Sequence, residues 1–440
     1  MTGRLVALMA AVTGSIMIVT LPANAAVSEE TAFILNSLLF LIGGFLVMWM
    51  AAGFAMLEAG LVRTKNVADI CLKNIILYSI AGLMYYLIGY DLMYTGVDGG
   101  YFGSLNLFWS PSEIASDENI SLETGFAASS DWFFQMVFVA TAASIVSGTV
   151  AERIKLFPFF IFVAILTGLI YPIQGSWEWG AGWLDGLGFS DFAGSTLVHS
   201  TGGWAALVGA IIVGPRLGKY DAQGRVRPIP GSNLPLATLG TFILWVGWFG
   251  FNGASQLAMG SAADVVAISQ IFANTNMAAA GGCIAAMLLT QALYKKVDLT
   301  MVLNGALAGL VSITAEPLTP TIGQAILIGA VGGVLAVFAV PLMDKLKIDD
   351  VVGAISVHLV AGIWGTMIVP ATNSDATFGV QALGIVAIGA YVSIASAIAW
   401  LALKYTIGVR LSEEAEREGS DTAELGLEAY PEFGRGGSMY

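Results

Sequence analysis

The chain holds two histidines, His199 and His358, and each stands in the same string, Val-His-x-x-x-Gly. A neutral imidazole has one donor and one acceptor nitrogen and titrates near neutral pH. Two facing rings can therefore share a hydrogen, guide a small polar molecule or relay a proton. Both histidines lie in apolar stretches, where an ionisable group is costly and marks a site by default. A lone intramembrane histidine is as often a helix-to-helix hydrogen bond, but two in matched strings point to joint use. Asp191 precedes the stretch that carries His199. It can cap free backbone N–H groups, or draw in a cation and take its proton, and sequence leaves both roles open. Glu58 and Glu152 sit near helix ends beside Arg63 and Arg153, which predicts structural pairing, and Asp91 is expected to be solvated. Phe134 and Phe138, spaced i and i+4, can wall one side of a constriction. Trp177, Trp179 and Trp183 crowd the segment before Asp191, and Trp245, Trp248, Phe249 and Phe251 crowd the end of another block. An interfacial belt accounts for any one of those tryptophans. No metal or cofactor is expected.

The elements that must position these groups follow from composition. Across 440 residues the chain is 57% hydrophobic and 11% charged, with mean hydropathy +0.79, far from a soluble domain with about 25% charged residues. Lys and Arg number 18 against 31 acids, with two cysteines, which sets aside nucleic-acid binding, disorder and a disulfide scaffold. Cys71 and Cys283 fall in apolar segments and are expected to be small buried hydrophobes. Apolar blocks long enough to cross about 30 Å of hydrocarbon fall at 33–58, 72–94, 131–151, 156–174, 193–214, 234–253, 264–291, 300–315, 321–343, 353–370 and 380–408. Gly43-Gly44, Gly281-Gly282 and Gly332-Gly333 would let helices pack closely.

The fold expected is an all-α integral membrane protein of eleven transmembrane helices. Residues 1–25 read as a cleaved signal peptide, with Arg4, an apolar run and Ala23-Asn24-Ala25. Seventeen of the 18 Lys and Arg lie in alternate loops, and the eighteenth is Arg4. By the positive-inside rule this puts the N-terminus outside and the C-terminus inside. The loop from about 95 to 130 is then external and acidic, with Asp98, Glu113, Asp117, Glu118 and Glu123. On this topology the two Val-His strings run antiparallel, each roughly 10 Å deep from opposite faces at 1.5 Å per residue. That is the pattern of an inverted repeat, spans 1–5 against 6–10 about a pseudo-twofold axis in the membrane plane. Residues 26–408 are expected to form the eleven-helix membrane domain and 409–440 an acidic cytoplasmic tail.

The strings AGFAMLEAGLVRTKN (52–66), VSGTVAERIK (146–155), DFAGSTLVHSTGG (191–203), GWFGFNGAS (247–255) and SVHLVAGIWG (356–365) resemble the ammonium transporter family of the wider ammonium transporter/methylammonium permease/Rhesus group. The resemblance covers nearly all of the mature chain. It implies a homotrimer with one pore per subunit and an outer cation site at Trp179, Phe138 and Ser255. It also implies a phenyl gate of Phe138 and Phe251 with Phe134 one turn away, pore histidines at His199 and His358, and an essential acid at Asp191. It further implies residence in the inner or plasma membrane and a PII-type signalling protein as a possible partner at the cytoplasmic mouth. Departures are Ser195 for a usual Gly, Asp91 for an uncharged residue, Ser420 for Leu, and Leu425-Gly426 for His-Gly.

Magnitudes shape the mechanism that this reading expects. A bare monovalent ion costs on the order of 20 kcal/mol to move into low dielectric, or several after relaxation. An aromatic returns only about 0.5–2 kcal/mol by cation–π attraction. The mouth can select ammonium but cannot carry it intact, so ammonium is expected to lose a proton and pass as ammonia, with proton co-transfer. Sodium and potassium have no proton to shed. The alternatives are a Rhesus-type electroneutral gas channel and, further off, a bis-histidine haem electron carrier. An enzyme is not expected.

Overall fold

The computed structural model describes residues 27–111 and 120–431. The predicted signal peptide, the loop acids Glu113, Asp117 and Glu118, and Arg435 lie outside the described residues. Within them the chain is helical, with two isolated β-bridges, Ile154 to Arg410 and Tyr220 to Val226.

Nine helices are long and apolar enough to cross a membrane, among the described residues: α1 (Glu29–Leu61), α2 (Thr64–Tyr94), α3 (Leu122–Val150), α4 (Leu156–Ser176), α5 (Ser195–Val213), α6 (Leu234–Ala254), α7 (Ala262–Tyr294), α9 (Ile322–Lys345) and α11 (Phe378–Thr406). Two shorter apolar helices, α8 (Leu299–Thr314) and α10 (Ile355–Ala371), fall on the eighth and tenth predicted blocks. Helix is the outcome physics requires of such blocks, because every backbone polar group is satisfied within the segment. Side-chain caps set several starts. Ser28 accepts from Thr31 N–H at the head of α1, and capping boxes at Ser261 with Asp264 and at Thr321 with Gln324 open α7 and α9.

Small residues govern the packing. The most extensive helix contact joins α1 to α6, where a Cβ on Gly43 would overlap Ala254 and one on Gly240 would overlap Leu57. Gly282 of α7 and Gly333 of α9 approach backbone to backbone, as the paired glycines predicted. α5 and α10 pack against each other. Both cysteines depart from the expected burial: Cys71 is exposed on α2 and Cys283 is half-buried on α7, and both are free thiols.

The basic loops gather at one end of the bundle and are tied by ion pairs. Arg216 grips Asp349 with Nε to Oδ2 at 2.8 Å and Nη2 to Oδ1 at 2.9 Å. It also reaches Glu152 at 3.4 Å, and Arg63 meets Glu152 at 2.5 Å. Glu152 therefore pairs with Arg63 and Arg216 rather than with Arg153, which is fully buried and donates to the carbonyls of Thr149, Ala151, Gly214 and Asp349. Burial pulls the Arg153 guanidinium down to about 10. Burial would raise Asp349, but its bonds to Arg216 hold it well below the usual carboxylate range.

The tail folds back onto this same end of its own chain. Lys155 N–H donates to Val409 and Leu411 N–H to Arg153. Glu416 accepts from Leu217 N–H at 2.5 Å and from Arg410 at 2.7 Å. Ser420 donates to Asn66. Asp421 accepts from Ala68 and Asp69 N–H at 3.0 and 2.8 Å and so caps the start of α2.

Candidate functional site

The site is built on two irregular helix starts. His199 lies in a π-turn, Ser195–Ser200, that opens α5, and His358 in a π-turn, Ile355–Val360, that opens α10. Such turns are rare and recur at functional sites. Each follows a glycine with positive φ, Gly194 at 101° and Gly353 at 83°, and each is capped by an aspartate. Asp191 Oδ1 accepts from Gly194 and Ser195 N–H at 3.1 and 2.8 Å, and Oδ2 from Thr196 and Leu197 N–H at 2.7 and 2.8 Å. Asp350 accepts from Ala354 and Ile355 N–H at 3.0 and 2.8 Å and from the Thr149 hydroxyl at 3.0 Å. Of the two roles open for Asp191, capping is the one this geometry displays. Burial pushes its carboxyl up to about 6, opposed by the four N–H donors.

These starts bring the imidazoles together. His199 Nδ1 lies 3.2 Å from His358 Nδ1, with ring centroids 5.2 Å apart, and both rings are buried. One shared hydrogen fits that distance. A metal between the two nitrogens would need about 4 Å, twice a bond of about 2.0–2.1 Å, so as placed the pair is a hydrogen bond rather than a ligand clamp. Among the described residues, His199 Nε2 has no hydrogen-bond partner.

Above the pair, Phe138 of α3 and Phe251 of α6 stack at 4.0 Å between centroids. Phe251 in turn stacks on His199 at 5.2 Å. Trp179 meets Phe138 edge-on at 6.0 Å, with its indole N–H donating to the Asp191 carbonyl at 3.0 Å. Ser255 closes the series one turn after Phe251, donating to that residue's carbonyl at 2.8 Å. Phe134 packs behind Phe138 at 4.8 Å and against Phe40 at 5.4 Å, so its ring backs the Phe138–Phe251 stack rather than forming the facing pair.

Several neighbours escaped the sequence reading. Trp248 is buried rather than interfacial. It stacks on His199 at 4.9 Å and donates to Thr314 Oγ1 at 2.8 Å. Its position three residues before Phe251 on one helix was the available signal. Phe54 faces His358 at 6.1 Å. Asp350 was missed although Asp-x-x-Gly-x-x-x-x-His occurs at both 191–199 and 350–358. Glu58 pairs with neither Arg63 nor Arg153: Asn74 and Ser147 each donate to its Oε2 at 2.9 Å. Asp91 is nearly buried rather than solvated, and accepts from Thr95 at 2.7 Å.

Below the histidines the bundle opens towards the basic end. A small cavity is lined by Phe54, Glu58, Asn304, Val352 and His358. Asn304 and Val352 also line a larger cavity of about 350 Å³, whose wall carries Arg216, Lys219, Asp344 and Asp350. Aromatic rings, paired imidazoles and a polar vestibule thus follow one another through the bundle.

Comparison with known proteins adds an independent line. Residues 38–430 match the model of the Ammonium Transporter Family. Ammonium transporter Amt2 of Archaeoglobus fulgidus is 40% identical over 425 residues, covering 89% of this chain and 87% of that protein. Ammonium transporter Amt1 of Haloferax mediterranei is 37% identical over 419 residues, covering 90% and 80%. Among solved structures, one described as a sensor Amt protein superposes with TM-score 0.84 at 37% identity, covering 90% of this chain and all of that one. The crystal structure of Mep2 from Candida albicans gives 0.77 at 27% identity, covering 88% and 89%.

Proposed function

The chain belongs to the ammonium transporter family, and from that membership we propose that it takes up ammonium by splitting it and passing the neutral amine. Trp179, Phe138 and Ser255 collect NH4+ at the outer mouth, the cation gives up a proton, and NH3 crosses between Phe138 and Phe251. His199 and His358 then line the conduit and carry the proton in step. Asp191 holds the first histidine turn in place and biases the mouth towards cations.

The observation that carries this reading is the direct contact of the two imidazoles beneath a closed phenyl stack. A hydrated ion has no passage there, and a bare one would meet a desolvation cost of several kcal/mol. An uncharged amine meets neither obstacle. The protein is a multi-pass membrane protein by family and by its apolar helices. We read eleven spans, an inverted repeat of five and five, N-terminus out and C-terminus in, in the inner or plasma membrane. Three subunits with separate pores, and a PII-type signalling protein at the inner mouth, complete the reading.

Currents evoked in reconstituted vesicles by ammonium, potassium and sodium, each alone, test it. Ammonium alone should drive charge. Comparable potassium current would reject deprotonation at the mouth, and ammonia uptake without charge would favour the electroneutral gas channel.

A further inference from the structure

Among the buried acids that the transport reading leaves without a task, Glu58 alone lines a cavity with one of the paired histidines. Glu58 stands near the inner end of α1 with about 1% of its surface exposed. Its position is unusual because the small cavity beneath the histidine pair is walled by both Glu58 and His358. That cavity offers about 10 Å³ of water-sized space, roughly enough for one water molecule. Ser144 and Asn304 are on the same wall, so a water there would have several polar partners. Asn304 and Val352 alone are shared with the vestibule of about 350 Å³, which makes them the partition between Glu58 and the inner opening.

A structural pin explains part of this. Asn74 and Ser147 both donate to Oε2 and bind α1 to α2 and α3. A neutral Gln could hold such a pin, however, without the cost of placing an acid in the bundle.

We infer that Glu58 is the proton acceptor on the inner side of the histidine pair, receiving the proton that His358 releases and passing it to the vestibule. This rests on the proton-coupled reading above. The N–H bond on the His358 nitrogen not shared with His199 breaks. An O–H bond forms on the Glu58 carboxylate, either directly or through one water that takes a proton as it gives one. The protonated acid then loses its proton to vestibule water past Asn304 and returns to carboxylate, ready for the next cycle. Ammonia takes the same lumen but needs no acid, so charge and amine separate at this residue.

The decisive quantity is charge moved per ammonia moved, from current and internal alkalinisation recorded on the same vesicles. Glu58→Gln keeps an oxygen to accept from Asn74 and Ser147 and should lower that ratio about tenfold or more, the scale of losing a general base. Glu58→Asp keeps the acid and should stay closer to the parent. A Gln variant with the parental ratio would overturn the assignment, whether both fluxes survive or both fall together as a packing defect would make them. So would an Asp variant no better than Gln. A parent that moves ammonia without charge would instead remove the proton-coupled reading, and this role with it.

Discussion

Residues 191–199 and 350–358 are two copies of one local design placed in different surroundings. Both run from a capping aspartate through a positive-φ glycine to a histidine eight positions on, and both open a helix with a π-turn. The first copy lies under aromatic rings: Trp248 and Phe251 stack on His199, and Trp179 bonds to the carbonyl of its aspartate. The second faces Phe54, the cavity with Glu58 and the ion-paired basic end. The repeated backbone decides where the imidazoles meet. The neighbours that are not repeated set the two copies apart, stacked aromatic rings around His199 and a cavity with an acid beside His358.

The largest expected asymmetry lies in the two caps. Asp191→Ala orphans four buried N–H groups, at roughly 1–3 kcal/mol per group before relaxation, and should leave little monodisperse protein on size exclusion. Asp350→Ala removes the acceptor for two N–H groups and one hydroxyl, and should yield folded protein with a lowered Tm. Equal losses would break the comparison. The glycines come next. An alanine in either left-handed position costs about 1–3 kcal/mol of strain. At 194 the new methyl also meets Val198 and Trp179, whereas at 353 it meets the movable amide of Asn304. Gly194→Ala should therefore lower Tm more than Gly353→Ala.

Titration separates the two ends with opposite sign. Asp191 has its carboxyl raised to about 6 in the fold, above an unfolded value of about 3.9. The native state then binds this proton more tightly, and this contribution to stability falls as pH rises from about 4 to 6. Asp349 is depressed, so its contribution is full above the unfolded value and lost only as pH falls through its lowered one. Tm measured against pH should lose its slope between about 4 and 6 in Asp191→Asn. In Asp349→Asn that slope should persist, with Tm lower throughout the neutral range. The smallest effect expected is that of Trp248→Phe, which keeps a ring on His199 and loses the bond to Thr314, about 0.5–1.5 kcal/mol on thermal unfolding.

What the sequence made legible follows from scale. Apolar blocks predicted nine of the eleven described apolar helices to within four residues at each end, because a bilayer leaves no other regular choice for them, whereas α2 and α3 begin eight and nine residues before their blocks. The meeting of His199 with His358 was legible from matched strings of opposite sense. Partners across helices were not. Glu58 and Arg63 are neighbours in sequence, yet Glu58 turns to Asn74 and Ser147 while Arg63 turns to Glu152. Trp248 looked interfacial because belts and buried stacks use the same residue type, and only the rotation of α6 separates them. Asp91 looked solvated from its place near a helix end, and Thr95 one turn on was the clue to its bonded state. The caps could have been read, since the second Asp-x-x-Gly-x-x-x-x-His was present to be matched against the first.

The central claim is that the paired imidazoles carry the proton that ammonium leaves at the mouth. Ammonium-evoked current in reconstituted vesicles, compared between the parent and a double variant carrying His199→Ala and His358→Ala, tests it most directly. The account predicts a robust current in the parent and a loss of about 10²-fold or more in the double variant, with both proteins monodisperse. An undiminished ammonium current in the double variant would contradict it.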